Sequence, residues 1–191
     1  MTARIRPGIA TTFFVLFVGP GPVAGVVPWL LSRWKLEEPF LGWKGIRWIG
    51  AVFFLAGLPV LGEALVRFVR DGRGTPAPVL PPERLVVTGL YRYVRNPMYV
   101  GVSSMIVGQG LFLGNLPVLL YAAGMAIAFQ LFVRLHEEPG LRRRFGAEYE
   151  AYCRGVRRWR PRFTPWTPAA FPVPTGGAAP IDSPGARRSP T

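Results

Sequence analysis

MYVGVSSMIVGQGLFLGNLPVLLYAAGMAIAFQLFV, residues 98–133, is a run of 36 residues without a charged side chain. As a single helix rising 1.5 Å per residue it would be about 54 Å long, well beyond a hydrocarbon core of ~30 Å. Gly114-Asn115-Leu116-Pro117 stands near its middle, and that combination is a turn signal. The run therefore reads as two spans, about 98–113 and 117–133, folded into a tight helical hairpin. A soluble core helix rarely stays uncharged for so long, so the fold class is an all-α integral membrane bundle.

Two further spans precede the hairpin. Residues 9–31 carry no charge and are interrupted by Gly19-Pro20-Gly21-Pro22, where a kink is expected. The stretch is too long for the apolar core of a signal peptide and ends in no small-residue cleavage site, so it reads as an anchor. The second span covers about 48–69, with Trp43 and Trp48 as interfacial anchors. Glu63 and Arg67, four residues apart, can pair on one face of it.

The chain has 191 residues, 23 Lys+Arg against 10 Asp+Glu, and a formal net charge of +13. That excess calls for an anionic neighbour, and the apolar spans make it the headgroups of anionic lipids rather than nucleic acid. Six arginines between 67 and 95 precede the hairpin, and Arg134 and Arg142–Arg144 follow it. Both flanks are then expected on the cytoplasmic side, giving four spans with both ends inside. The 32–47 loop, with Arg33, Lys35, Lys44 and Arg47, fits this rule poorly. The Arg/Pro/Gly-rich composition reads as bacterial, which places the protein in an inner membrane. With a single cysteine, Cys153, and a single histidine, His136, neither an intrachain disulfide nor a zinc site is expected.

Past the fourth span, Leu141, Phe145, Tyr149, Tyr152 and Val156 recur at helical spacing. They predict an amphipathic helix along the cytoplasmic membrane surface, with Pro139 in its first turn. Residues 1–163 then form one membrane domain, and the Pro/Gly/Ala-rich stretch 164–191 reads as a disordered tail.

Ionisable and aromatic side chains at span ends are costly and point to function. Residues 91–99 enter the third span and residues 134–138 leave the fourth, so the hairpin makes them neighbours. Tyrosine faces attract cations, and carboxylates accept hydrogen bonds from ribose hydroxyls or ammonium groups. Such a pocket suits S-adenosylmethionine.

The segment GLYRYVRNPMYVG (89–101), followed by Glu137-Glu138 and by Leu141, Phe145, Gly146, Glu148, Tyr149 and Tyr152, resembles the isoprenylcysteine carboxyl methyltransferase and phospholipid N-methyltransferase superfamily. The family pattern is R-H-P-x-Y before one span, then E-E, then L-x3-F-G-x-E-Y-x2-Y after the next. The resemblance covers about residues 83–161. It implies a membrane enzyme that uses S-adenosylmethionine at the cytoplasmic face, with cofactor contacts from Tyr91, Asn96, Pro97, Met98, Tyr99 and Glu137. It further implies main-chain contacts from Leu85 and Val86 in an approach strand.

Asn96 departs from the family histidine; an amide can donate a hydrogen bond but cannot act as a base near neutrality. The acceptor is lipophilic, a small molecule or a prenylated group. A carboxylate acceptor is expected first, with Arg134 as its anchor. For an amino-lipid, Glu137 or Glu138 takes the proton. A non-catalytic membrane interaction protein on the same scaffold is the competing class. Gly108-Gln109-Gly110 reads as helix packing ahead of a cofactor motif.

Overall fold

The expected hairpin is present, and its turn is built as the sequence prescribes. In the computed structural model, which describes residues 19–72 and 84–167, one helix covers Pro97–Leu113 and the next begins at Leu116. Gly114 sits at φ +73°, a left-handed conformation that glycine adopts without strain. The Asn115 side chain then caps the second helix by accepting from the Val118 amide at 3.0 Å.

The described residues form helices and loops, with no strand. Helix α1, Pro22–Ser32, is π-helical over Pro22–Val26. It is followed by α2, Gly45–Gly72, α3, Pro97–Leu113, and α4, Leu116–Phe132. A π-helical turn, Val133–Glu137, leads into α5, Glu138–Gly155. Gly45–Asp71 and the continuous stretch Leu116–Gly155 are long and apolar enough to cross a membrane, while Pro22–Ser32 and Pro97–Leu113 are shorter apolar helices. Residues 9–18 of the expected first span and 168–191 of the expected tail lie outside the described residues. The distortion predicted at the Gly-Pro repeat takes the form of the π turn. The Gln109 amide donates to Ala24 O at 2.7 Å and the Tyr121 hydroxyl to Val23 O at 3.0 Å, giving two carbonyls of that turn side-chain partners.

Apolar burial offers little drive inside a lipid phase, so helix pairing rests on close packing. Helices α2 and α3 run antiparallel with Gly50 against Gly108 and Gly57 against Gly101. A Cβ on Gly108 would stand 2.7 Å from Gly50 O, and one on Gly57 2.8 Å from Gly101 O. Gly110 serves the hairpin, facing Leu119. Both glycines of the Gly-Gln-Gly triplet are thus packing residues.

Two cations of the 32–47 loop find partners in the fold. Arg47 donates to Phe112 O, at the C-terminal end of α3, and to Glu37 O, at 3.1 and 2.6 Å. Arg33 lies over the Trp29 ring, 5.0 Å from its centre.

The amphipathic helix expected after the fourth span is present as α5, joined to α4 through the π turn without a break, and one expectation, its bed on lipid, is corrected. The Glu138 amide bonds back five residues to Val133 O, and this widened register accommodates Pro139, which has no N–H of its own. The direction changes later, at Gly146 (φ +47°, ψ −122°). The apolar stripe exists, but Tyr149, Tyr152 and Val156 pack on Leu85, Val87 and Trp166 of this same chain rather than on lipid.

Candidate functional site

The site is assembled where α3 begins and α4 ends. Pro97, fully buried, opens α3, which places Tyr99 in the first turn of the helix. The π turn carries Glu137 to the same level, and the Tyr99 hydroxyl donates to Glu137 Oε2 at 3.2 Å. The Tyr99 ring lies 4.8 Å from Phe129 of α4 and 6.3 Å, edge-on, from Trp159. Trp159 is fixed by its indole N–H, which donates to Gln130 Oε1. The result is a tyrosine–carboxylate pair whose ring is flanked by two further aromatics.

The two adjacent glutamates have opposite surroundings. Burial raises the proton affinity of Glu137; donation from Tyr99 opposes the shift, and the charge of Glu138 adds to it, leaving the pKa above its ordinary value. Glu138 is 3% exposed. Burial alone would raise it too. The hydrogen bonds from Arg158 at 2.6 and 2.9 Å, with the charges of Arg95 at 3.4 Å and Arg142 at 3.8 Å, outweigh that effect and lower its pKa. Glu138 is therefore an ionised hub that collects arginines.

Through that hub the C-terminal segment, residues 156–167, is strapped across residues 91–96. Arg95 N–H donates to Arg157 O at 3.0 Å, Arg162 N–H to Tyr93 O at 2.9 Å and Trp166 N–H to Arg92 O at 2.9 Å. The Arg92 guanidinium returns bonds to Trp166 O at 2.7 Å and the Thr167 hydroxyl at 3.0 Å. Trp166 also packs against Tyr152, the rings tilted at 55° with 5.4 Å between their centres. Residues 164–167, which composition assigns to the tail, are thus part of the strap.

Of the residues singled out in the sequence, Tyr99 and Glu137 meet directly. Asn96 is buried and its amide donates to Arg158 O at 3.4 Å, so it faces the strap. Met98 packs with Val86, Ala64 and Tyr91, and the Tyr91 hydroxyl reaches Ala64 O at 3.5 Å. Burial first, and then the charge of Glu137, push the Tyr91 phenol well up and keep it protonated. The approach to residue 89 is an extended loop without strand pairing, which corrects the expected approach strand. Its side chains alternate, Leu85 and Val87 toward α5 and Val86 toward α2. Arg134 is exposed and makes no ion pair among the described residues. His136 stacks on Phe132 at 5.6 Å, and the Glu63–Arg67 pair forms at 3.0 Å.

Trp159, Gln130, Phe129 and Arg158 were not singled out by sequence reasoning. Gln130 offered a signal, since a polar amide near the end of an apolar span needs a partner. Trp159, set in an arginine run, offered none beyond its type.

A helical membrane bundle with a tyrosine–carboxylate pair in an aromatic cluster at one end is the class of protein that this geometry defines. The family model described as phospholipid methyltransferase matches residues 48–148. That is more than half the chain, and the chain belongs to the phospholipid methyltransferase family, within the superfamily of membrane methyltransferases that its motifs resemble. No curated protein and no solved structure matches it. Membership supports methyl transfer as its activity and lipid or lipophilic molecules as its substrates.

Proposed function

We propose that the protein transfers a methyl group from S-adenosylmethionine to a lipid-borne acceptor at the end of the bundle where α3 begins, on the cytoplasmic side of a bacterial inner membrane. The observation that carries this reading is the Tyr99–Glu137 contact, enclosed by Phe129 and Trp159. The donor set fits the cofactor. Aromatic faces stabilise a cation by ~0.5–2 kcal/mol, and a buried carboxylate accepts hydrogen bonds from a ribose or an ammonium group. S-adenosylmethionine, when bound, supplies a methyl group activated by a positively charged sulfur.

The chain's part is alignment, exclusion of water and, for an amine, one proton. Well-oriented reactants recover ~7–11 kcal/mol of barrier in favourable cases. Tyr99 and Glu137 hold the cofactor, with Tyr91 and Met98 packed behind them and the main chain at Leu85 and Val86 alongside. An amine attacks only when neutral, and the raised proton affinity of Glu137 suits it to accept that proton. Glu138, held ionised by arginines, is assigned a positioning role instead: through Arg158 and Arg95 it fixes Asn96 and the strap. The amino-lipid is thereby the better-supported acceptor.

A carboxylate acceptor, possible with no proton transfer at all, is favoured by the exposed Arg134 on the same π turn as Glu137. Incubating membranes that contain the protein with cofactor labelled in its methyl group, then extracting lipids, tests both. Label is expected in the lipid fraction. Label released by mild alkali marks a methyl ester; alkali-stable label marks methylated nitrogen. Label confined to water-soluble products would contradict the proposal.

A further inference from the structure

Between Leu116 and Val133, Tyr121 and Gln130 are the side chains that can hydrogen-bond through oxygen or nitrogen. Tyr121 is used in packing, donating to Val23 O at 3.0 Å. Gln130 stands between the exposed Ile127 and Leu131, where an amide without a partner is costly. Its partner is the indole N–H of Trp159, 29 residues further on. From this bond and the rings it aligns we infer that Gln130 is a positioning residue for the methyl donor. It holds the Trp159 indole beside Tyr99, and the indole is the surface that favours the sulfonium of S-adenosylmethionine over the neutral sulfur left after transfer.

The strap needs Gln130 for this. On one side of Trp159, the Arg158 carbonyl accepts from the Asn96 amide at 3.4 Å and the Arg158 guanidinium donates to Glu138 at 2.6 Å. On the other, the Arg162 N–H donates to Tyr93 O at 2.9 Å. These bonds fix the backbone of residues 158–162 and leave the direction of the side chain between them open. An indole has a single hydrogen to donate, and Gln130 takes it.

The ring so placed makes a corner rather than a stack. The planes of Trp159 and Tyr99 are inclined at 65° with 6.3 Å between their centres, and both residues are half-buried, so part of each ring remains accessible. The Tyr99 hydroxyl donates to Glu137 at 3.2 Å, which sets a carboxylate at the rim of that corner. The guanidiniums of Arg95 and Arg158 are directed to Glu138 instead, and those of Arg134 and Arg160 are exposed, where their fields are screened. Of the aromatic side chains, tryptophan attracts a cation most strongly. Transfer breaks the sulfur–methyl bond and leaves its electron pair on sulfur, so this attraction exists for the donor and is gone for the product. The inference rests on the methyl-transfer reading and assigns to it the residues that tell donor from product.

Binding of the two cofactor forms tests it. S-adenosylmethionine and S-adenosylhomocysteine are titrated separately, by calorimetry, into the purified protein and into Trp159→Leu, Gln130→Leu, the double variant and Tyr121→Phe. Trp159→Leu is expected to weaken the first ligand about fivefold, the size of one cation–π contact, and the second by less than about twofold. Gln130→Leu shows the same selective loss. The double variant loses no more than Trp159→Leu alone, because the amide acts through the indole. Tyr121→Phe keeps both affinities.

Equal weakening of the two ligands in Trp159→Leu, an unchanged ratio in Gln130→Leu, additive losses in the double variant, or the same selective loss in Tyr121→Phe would each overturn the inference and leave the methyl-transfer reading in place. Binding of neither ligand by the unaltered protein would overturn both. Should Trp159→Leu fail to fold, Gln130→Leu decides, and affinities unchanged or lowered alike in that variant overturn the inference.

Discussion

Glu137 and Glu138 are neighbours in sequence with opposite thermodynamic signs. Glu138 has a lowered folded pKa, so its contribution to stability is complete above the unfolded carboxylate value, about 4.3, and is lost as pH falls through the folded value. Glu137 has a raised one, so the folded state is destabilised as pH rises from about 4.3 through that value. Replacing each with glutamine should separate them. Glu138→Gln strands Arg95 and Arg158 and is expected to cost about 3 kcal/mol at neutral pH; thermal unfolding in detergent checks it. Glu137→Gln removes an unfavourable buried charge and should leave the melting temperature at neutral pH unchanged or higher, as replacement of a site residue often does. A lower melting temperature for Glu137→Gln, or none for Glu138→Gln, would reverse these assignments.

At the level of elements, the antiparallel glycine contacts of α2 and α3 make a sharper demand than hydropathy does. A side chain at Gly57 or Gly108 meets backbone of the facing helix, which cannot yield as a flexible side chain can. Gly108→Val is expected to destabilise by about 2 kcal/mol or more, whereas Gly124→Ala on α4, where nothing lies within 4 Å, should gain about 0.5 kcal/mol from helix propensity. Comparing their melting temperatures in one detergent tests the interface. The hairpin was legible in the sequence because its turn chemistry is local: a left-handed glycine, an asparagine cap and a proline in the first turn. The continuity of α4 and α5 was not. Pro139 carries a true start signal, and only the register change of the preceding π turn overrides it. The stripe of α5 was legible as a stripe, but its partner, the extended segment at Leu85–Val87, lies more than fifty residues away and leaves no periodic trace.

Across the whole molecule, the strap closes the site. Residues 156–167 return to 91–96 through three main-chain bonds, the Arg92 guanidinium and the Asn96 amide, which donates to Arg158 O; in this way Trp159 comes to face Tyr99. That juxtaposition depends on the path of about sixty residues, so sequence could name Tyr99 and Glu137 through their motifs yet miss the aromatic wall opposite. Trp166→Ala, which empties the place beside Tyr152 and Gly155, is expected to cost about 2 kcal/mol, below the usual range for a fully buried tryptophan because this one is half-buried. It should weaken cofactor binding as the strap that carries Trp159 loosens. The most direct test of the account is calorimetric titration of S-adenosylmethionine into the purified protein and into its Glu137→Gln variant. The account predicts saturable binding by the first, and affinity reduced about tenfold or more in a second that remains folded; equal affinity in the two would contradict it.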